Sequence, residues 1–196
     1  MIDERIYLTG FMGSGKSTIG SILANSLGYN YADIDKIIEK EFGMTVNEFF
    51  QKYGETEFRK AETEILKELS KLENVVISLG GGTLSKEENL KIIKDNGLLI
   101  YLKLPPEILF ERLKYKTDRP LIKEFVEKQD IEGLKKQIIH LLAQREKFYN
   151  QSDLIIDAAK FNKVGFLVDH IKFLIENHFK NINALQNEKN FRSNSK

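Results

Sequence analysis

Gly10-Phe11-Met12-Gly13-Ser14-Gly15-Lys16-Ser17, followed by Thr18, sets glycines, a lysine and hydroxyls at the spacing that cradles phosphate. The stretch fits G-x-x-x-x-G-K-[ST], the P-loop pattern. Glycines at 10, 13 and 15 let the backbone curl so that successive N–H groups turn toward phosphate oxygens. In such a loop Lys16 reaches the β- and γ-phosphates, and the Ser17 hydroxyl sits on Mg²⁺. The following helix adds its positive dipole end to the same anion. These residues point to binding of a nucleoside triphosphate.

Four further groups could do chemistry beside it. In Asp33-Ile34-Asp35 the two carboxylates are two residues apart in an extended chain, so both can face the phosphates. One can help hold Mg²⁺ through water, and the other can accept a proton from an attacking hydroxyl. An acidic helix N-terminus is the plainer reading of the same pair. Arg59 and Glu62, three apart, share a helix face. They form either a solvated ion pair or an arginine fork held ready for a substrate carboxylate, and spacing does not choose. Arg145 reads by composition as a surface charge. Arg119, in Asp118-Arg119-Pro120-Leu121, lies on a basic loop that could close on a triphosphate. Histidines 140, 170 and 178 have no metal-ligand partners and receive no role.

Positioning these groups requires strands that end beside one another. Apolar runs at Ile6–Thr9, Tyr29–Ala32, Val75–Leu79, Leu98–Leu102 and Leu154–Ile156 alternate with helical patterns. Their near-continuous hydrophobicity predicts parallel strands buried on both faces. Between the second and third strands lie consecutive helices: one to Phe42 stopped by Gly43, one from the capping box Thr45–Glu48 to Gly54, and one from Thr56 to Leu72. They read as a small inserted lobe. Three glycines, 80 to 82, leave bare backbone after the third strand, where something must come close. Ser85–Glu88 reads as a second capping box. Residues 114–124 lose apolar periodicity and carry Lys114, Lys116, Arg119 and Lys123, as expected of a mobile lid. A helix ends near Phe179, and the Asn-, Lys- and Ser-rich tail 181–196 is expected to be disordered.

A chain of 196 residues, 41% hydrophobic and 30% charged, suits one globular domain, here over 1–180. A net charge of +1 gives no general attraction to nucleic acid or an acidic membrane. The absence of cysteine excludes disulfides and thiolate metal sites. No apolar run approaches the roughly 20 residues that span a bilayer. Early entry into the first strand leaves no room for a signal peptide. A cytoplasmic protein follows as the expectation.

In order and spacing, these motifs resemble shikimate kinase: the P-loop, Asp33-Ile34-Asp35, Gly54-Glu55 with Phe58-Arg59 and Glu62, Gly80-Gly81-Gly82, Arg119-Pro120-Leu121, and Arg145 followed by Tyr149. The likeness covers roughly residues 5–178. It implies a three-layer α/β/α P-loop fold with a five-stranded parallel sheet in the order 2-3-1-4-5, a substrate lobe at about 34–62 and a lid at about 114–124. It also implies transfer of the γ-phosphate of ATP, with Mg²⁺, to the 3-hydroxyl of shikimate, on the way to chorismate and the aromatic amino acids. Asp35, Arg59, Gly81 and Arg145 would contact shikimate, the arginines at its carboxylate and Asp35 at its hydroxyl. Gly13, Ser14, Gly15, Lys16, Ser17, Thr18, Arg112 and Arg119 would bind the nucleotide, with Lys16 and Arg119 also acting in catalysis. Ser17 would hold Mg²⁺, and Asp33 would do so through water. A monomer is implied. Residues 157–163 lack the proline many members place against adenine, which leaves Phe161 to cover that ring. A kinase for another hydroxylated acid such as gluconate, and a nucleotide-binding regulator without catalysis, are the competing readings.

Overall fold

The carboxyl ends of five parallel strands form the edge on which every candidate residue before position 113 converges or to which it is tied. The structure is a computed structural model that describes residues 5–193. It contains β1 (Arg5–Thr9), α1 (Lys16–Leu27), β2 (Asn30–Asp33), α2 (Ile34–Phe42), α3 (Val46–Leu69) and β3 (Val75–Ser78). A 3₁₀ turn (Thr83–Ser85), α4 (Glu87–Asn96), β4 (Leu98–Lys103), α5 (Pro106–Leu113), α6 (Lys123–Glu127) and α7 (Ile131–Tyr149) follow, then β5 (Leu154–Asp157), a 3₁₀ turn (Ala158–Lys160) and α8 (Val164–Ser193).

The strands form one sheet in the order β2-β3-β1-β4-β5, and each pairing is parallel. Register sets Leu8 beside Ser78 and Asp33 beside Ser78, so β1, β2 and β3 end level with one another. The central strands carry the core: Ile6, Tyr7, Leu8, Val76, Ile77, Leu99, Ile100 and Leu102 are fully buried. Helices on both faces require that burial, and β-branched and leucine-rich runs supply it. The result is the three-layer α/β/α arrangement anticipated above.

Local signals explain most helix ends. Gly15 (φ 97°) starts α1, and Gly28 (φ 72°) and Gly43 (φ 64°) stop α1 and α2 in left-handed geometry. The Thr45–Glu48 capping box forms with both arms in place. Gly54 (φ 79°) breaks α3 where the sequence predicts a helix boundary. The second expected capping box does not form. Ser85 instead ends the 3₁₀ turn, its N–H donating to Gly82 O, and α4 begins after Lys86 without a side-chain cap. The glycine run tightens the chain before Ser85 and leaves it one residue out of cap register.

The chain packs as two compact units dividing after Lys160. Within the second, α8 continues to Ser193 rather than ending near Phe179, and so enters the tail expected to be disordered. That tail holds no glycine or proline, so nothing local stops the helix. Residues 194–196 of the expected tail lie outside the described residues. Phe161 lies with its ring 5.1 Å from that of His170 in the same unit.

Candidate active site

The phosphate-binding end is assembled from the β1–α1 loop. Gly13 (φ 78°) and Gly15 (φ 97°) hold the left-handed turns that only glycine adopts readily, and Ser14 between them is buried. Lys16 Nζ donates to Gly10 O at 2.8 Å and Phe11 O at 3.1 Å, folding over the loop it belongs to. Burial lowers its pKa to about 8, while the carboxylates of Asp35 and Asp33 work to keep it charged. Ser17 and Thr18 open α1 beside it. Arg112, the last basic residue of α5, donates to Gly13 O at 3.0 Å and so closes the far side of the loop.

Ser17 Oγ donates to Asp33 Oδ2 at 2.7 Å, and Tyr31 Oη lies 3.2 Å from the same oxygen. Asp33 Oδ1 accepts from Lys36 N at 3.3 Å, so this carboxylate also caps α2. The helix-cap reading of Asp33 therefore holds, with its other oxygen on Ser17, while Asp35 lies in the first turn of α2 rather than on an extended chain as expected. Among the described residues no cluster of three or more His, Cys, Asp or Glu could hold a metal alone. A hydroxyl and a carboxylate in contact fit a Mg²⁺ that takes its remaining ligands from phosphate and water.

The second half of the site is built on α3, α7 and the glycine run. Arg59 Nη1 donates to Glu62 Oε2 at 2.5 Å, and its Nη2 to Glu55 Oε1 at 2.7 Å. Glu62 is wholly buried and accepts from Thr83 Oγ1 at 2.6 Å through its other oxygen. Arg145 is 7% exposed, over the ring of Phe11 at 5.7 Å. The surface-charge reading that composition favours is thereby overturned: α7 carries this cation inward. Tyr149, one turn on, donates to Gly81 O. Burial raises its pKa to about 12, so it remains a donor at every physiological pH.

Each of the three glycines faces a different functional side chain. A methyl group on Gly80 would collide with Glu62 Oε1 and reach 3.0 Å from Asp35 Oδ1. One on Gly81 would stand 3.3 Å from Arg145 Nη1, and one on Gly82 would meet Arg59 Cζ at 2.6 Å. The bare backbone predicted to admit a close approach thus admits four side chains, from α2, α3 and α7.

Two clefts result. One, of about 430 Å³, is lined by Arg59, Glu62, Gly80 to Gly82 and Arg145, with Val46, Phe50 and Phe58 as its apolar wall. The other, of about 1020 Å³, is lined by Gly13, Gly15, Lys16, Ser17, Thr18, Asp33 and Arg112. They share Met12, Asp35, Gly81 and Arg119. The smaller suits a compact anion with a carboxylate for the arginines, and the larger a nucleotide. Burial, followed by the charges of Glu62 and Asp33, raises Asp35 to about 6, with Lys16 and Arg119 opposing. A carboxylate tuned toward neutral at the seam of two clefts can accept a proton from a hydroxyl presented by one to a phosphate presented by the other.

Sequence reasoning passed over Tyr31, Asn47, Ser78 and Thr83. Ser78 is the one polar residue in the run Val75–Leu79, and Tyr31 lies two residues before Asp33 on the same strand. Asn47, whose Nδ2 donates to Thr117 O at 3.0 Å, and Thr83 act across long sequence separations and leave no local sign.

The sequence profile of shikimate kinase matches residues 12–193. The chain is 42% identical over 178 residues to the shikimate kinase of Chlorobaculum parvum, covering 90% of this chain and 95% of that protein. Against the shikimate kinase of Chlorobaculum tepidum identity is 43% over 176 residues, covering 89% and 92%. Shikimate kinase from Acinetobacter baumannii, solved in complex with shikimate, superposes with a TM-score of 0.81 at 32% identity, covering 90% of this chain and 95% of that one. The enzyme from Bacteroides thetaiotaomicron also gives 0.81, at 34% identity over 88% and 98%. The profile spans almost the whole chain and the relatives align along most of theirs, so the chain belongs to the shikimate kinase family.

Proposed function

We propose that Asp35, set between the two clefts, is the group that takes the proton in this chain's reaction. The reaction is the family's own: the γ-phosphoryl group of ATP passes to the 3-hydroxyl of shikimate, on the route to the aromatic amino acids. The observation that carries the assignment is the shared seam of Met12, Asp35, Gly81 and Arg119. A substrate hydroxyl held there lies between Asp35 and the phosphate loop, as in-line transfer requires.

Arg59 and Arg145 bind the shikimate carboxylate, Arg59 with its fork fixed by Glu62 and Glu55. Gly81 supplies backbone close to the ring hydroxyls. Gly13 to Thr18 and Arg112 bind ATP, Lys16 spreads the charge of the transferred group, and Arg119 adds a second cation from the lid, residues 114–124. Ser17 and, through water, Asp33 would hold Mg²⁺, which would supply neutralisation of phosphate charge. The substrate lobe is residues 34–62. Closing the lid over it excludes water and so suppresses hydrolysis of ATP. The enzyme acts as a monomer in this reading. Among the described residues no helix is long and apolar enough to cross a membrane.

The test is ADP release from ATP and Mg²⁺ with shikimate, with gluconate and with no acceptor. Release that depends on shikimate is expected. Release with gluconate alone would move the chain to another substrate, and ATP binding without release on any acceptor would make it a regulator.

A further inference from the structure

We infer that Thr83 is a positioning residue for shikimate recognition, acting through Glu62 on Arg59. The inference rests on the assignment of Arg59 to the substrate carboxylate. Thr83 is wholly buried in the 3₁₀ turn that follows the glycine run and touches neither cleft. Its hydroxyl donates at 2.6 Å to Glu62 Oε1, the oxygen that Arg59 leaves free.

Glu62 has no exposure to water, so its two oxygens depend on protein donors. Arg59 Nη1 supplies one and Thr83 Oγ1 the other. Without Thr83 the carboxylate would be held only by the side chain it is meant to orient. The other carboxylate on Arg59 cannot replace it, because Glu55 is half exposed and lies on the solvent side of the fork. Thr83 itself is fixed at three points. Its N–H donates to Gly80 O, Asn89 Nδ2 donates to its carbonyl at 2.8 Å, and the bare α-carbon of Gly80 leaves room for both its hydroxyl and Glu62.

A relay from α4 through Asn89, Thr83 and Glu62 thus reaches the guanidinium of Arg59. The turn carrying Thr83 is continuous with Gly80 to Gly82, so the fork and the backbone beneath it are anchored to the same segment. Misplacement of a recognition group by about 1 Å can cost on the order of a hundredfold, so a single hydroxyl behind the site can set substrate affinity.

The experiment compares Thr83→Val, which keeps the shape and removes the hydroxyl, with Thr83→Ser, which restores it, and with Arg59→Ala. We expect Thr83→Val to raise the shikimate KM roughly tenfold, with the KM for ATP and kcat each within about twofold. Thr83→Ser should return the shikimate KM to within about threefold of wild type. Shikimate titration by calorimetry gives the same comparison without turnover. An unchanged shikimate KM in Thr83→Val, equal effects of Val and Ser, or a parallel rise in the ATP KM would each overturn the inference. If Arg59→Ala also leaves the shikimate KM unchanged, the assignment of Arg59 fails first. If Arg59→Ala raises it and Thr83→Val does not, only the relay fails.

Discussion

Arg119 Nη1 stands 3.9 Å from Asp35 Oδ2, so a cation from the 114–124 loop faces the carboxylate that opens α2 across the seam of the two clefts. Lys16 faces the same carboxylate from the phosphate loop and favours its ionised form. A single carboxylate therefore sits between a cation of the phosphate loop and a cation of the 114–124 loop.

Replacing Asp35 with Asn keeps the shape and removes the proton acceptor. We expect kcat to fall by roughly 10²- to 10⁴-fold, with the Kd for ATP within about threefold of wild type. Turnover by stopped assay and nucleotide binding by calorimetry check this. A loss of less than about fivefold would reduce Asp35 to orienting the hydroxyl.

The raised pKa of Asp35 gives two pH effects of defined sign. With Asp35 in its proposed role as proton acceptor the ionised form is the active one, so kcat/KM for shikimate should rise as pH increases through about 6 and level off above it. For stability the sign is reversed. A carboxylate whose folded pKa lies above its unfolded value of about 3.9 holds its proton more tightly when folded. Its contribution to stability is thus fully present below about pH 4 and is lost as pH rises through the folded value of about 6. Asp35→Asn should accordingly raise Tm at pH 8 by no more than about 5 °C, and the difference should vanish near pH 4. Thermal unfolding at the two pH values measures it, and a lower Tm for the variant at pH 8 would contradict the shift.

The glycine run predicts unequal damage from equal substitutions. Gly82→Ala drives a methyl into the Arg59 guanidinium, a flexible group that can retreat. The shikimate KM should rise about tenfold or more, with Tm nearly unchanged. Gly80→Ala drives one into buried Glu62, which cannot retreat, and should lower Tm by roughly 5 °C. Steady-state kinetics and thermal melts of both variants separate the two cases.

Ser17→Ala tests the metal assignment. The Kd for ATP with Mg²⁺ present should rise about tenfold, whereas the Kd for ATP with EDTA should change by less than about twofold. An equal loss under both conditions would place the hydroxyl on phosphate rather than on the ion.

The phosphate-loop motif and the sheet were legible because each is local: glycine spacing and apolar runs announce themselves within a few residues, whereas Asp35, expected on an extended chain, lies in the first turn of α2. The break at Gly54 and the cap at Thr45 were legible for the same reason. Arg145 was not, because one cation on a charged helix looks alike whether it faces water or Phe11. Thr83 was silent too, since its meaning depends on a carboxylate 21 positions away. The length of α8 was underestimated because polar composition was read as disorder, although a run without glycine or proline can stay helical.

The clefts have a consequence for ligand design. Because they meet at Met12, Asp35, Gly81 and Arg119, the arginines Arg59 and Arg145 and the phosphate loop stand on opposite sides of one shared seam. A tethered molecule with a carboxylate at one end and a polyphosphate at the other could occupy both at once. Such a tether can give the second end an effective concentration in the millimolar range, with avidity on the order of 10²- to 10⁴-fold above either half. The distance across the seam sets the length of that tether.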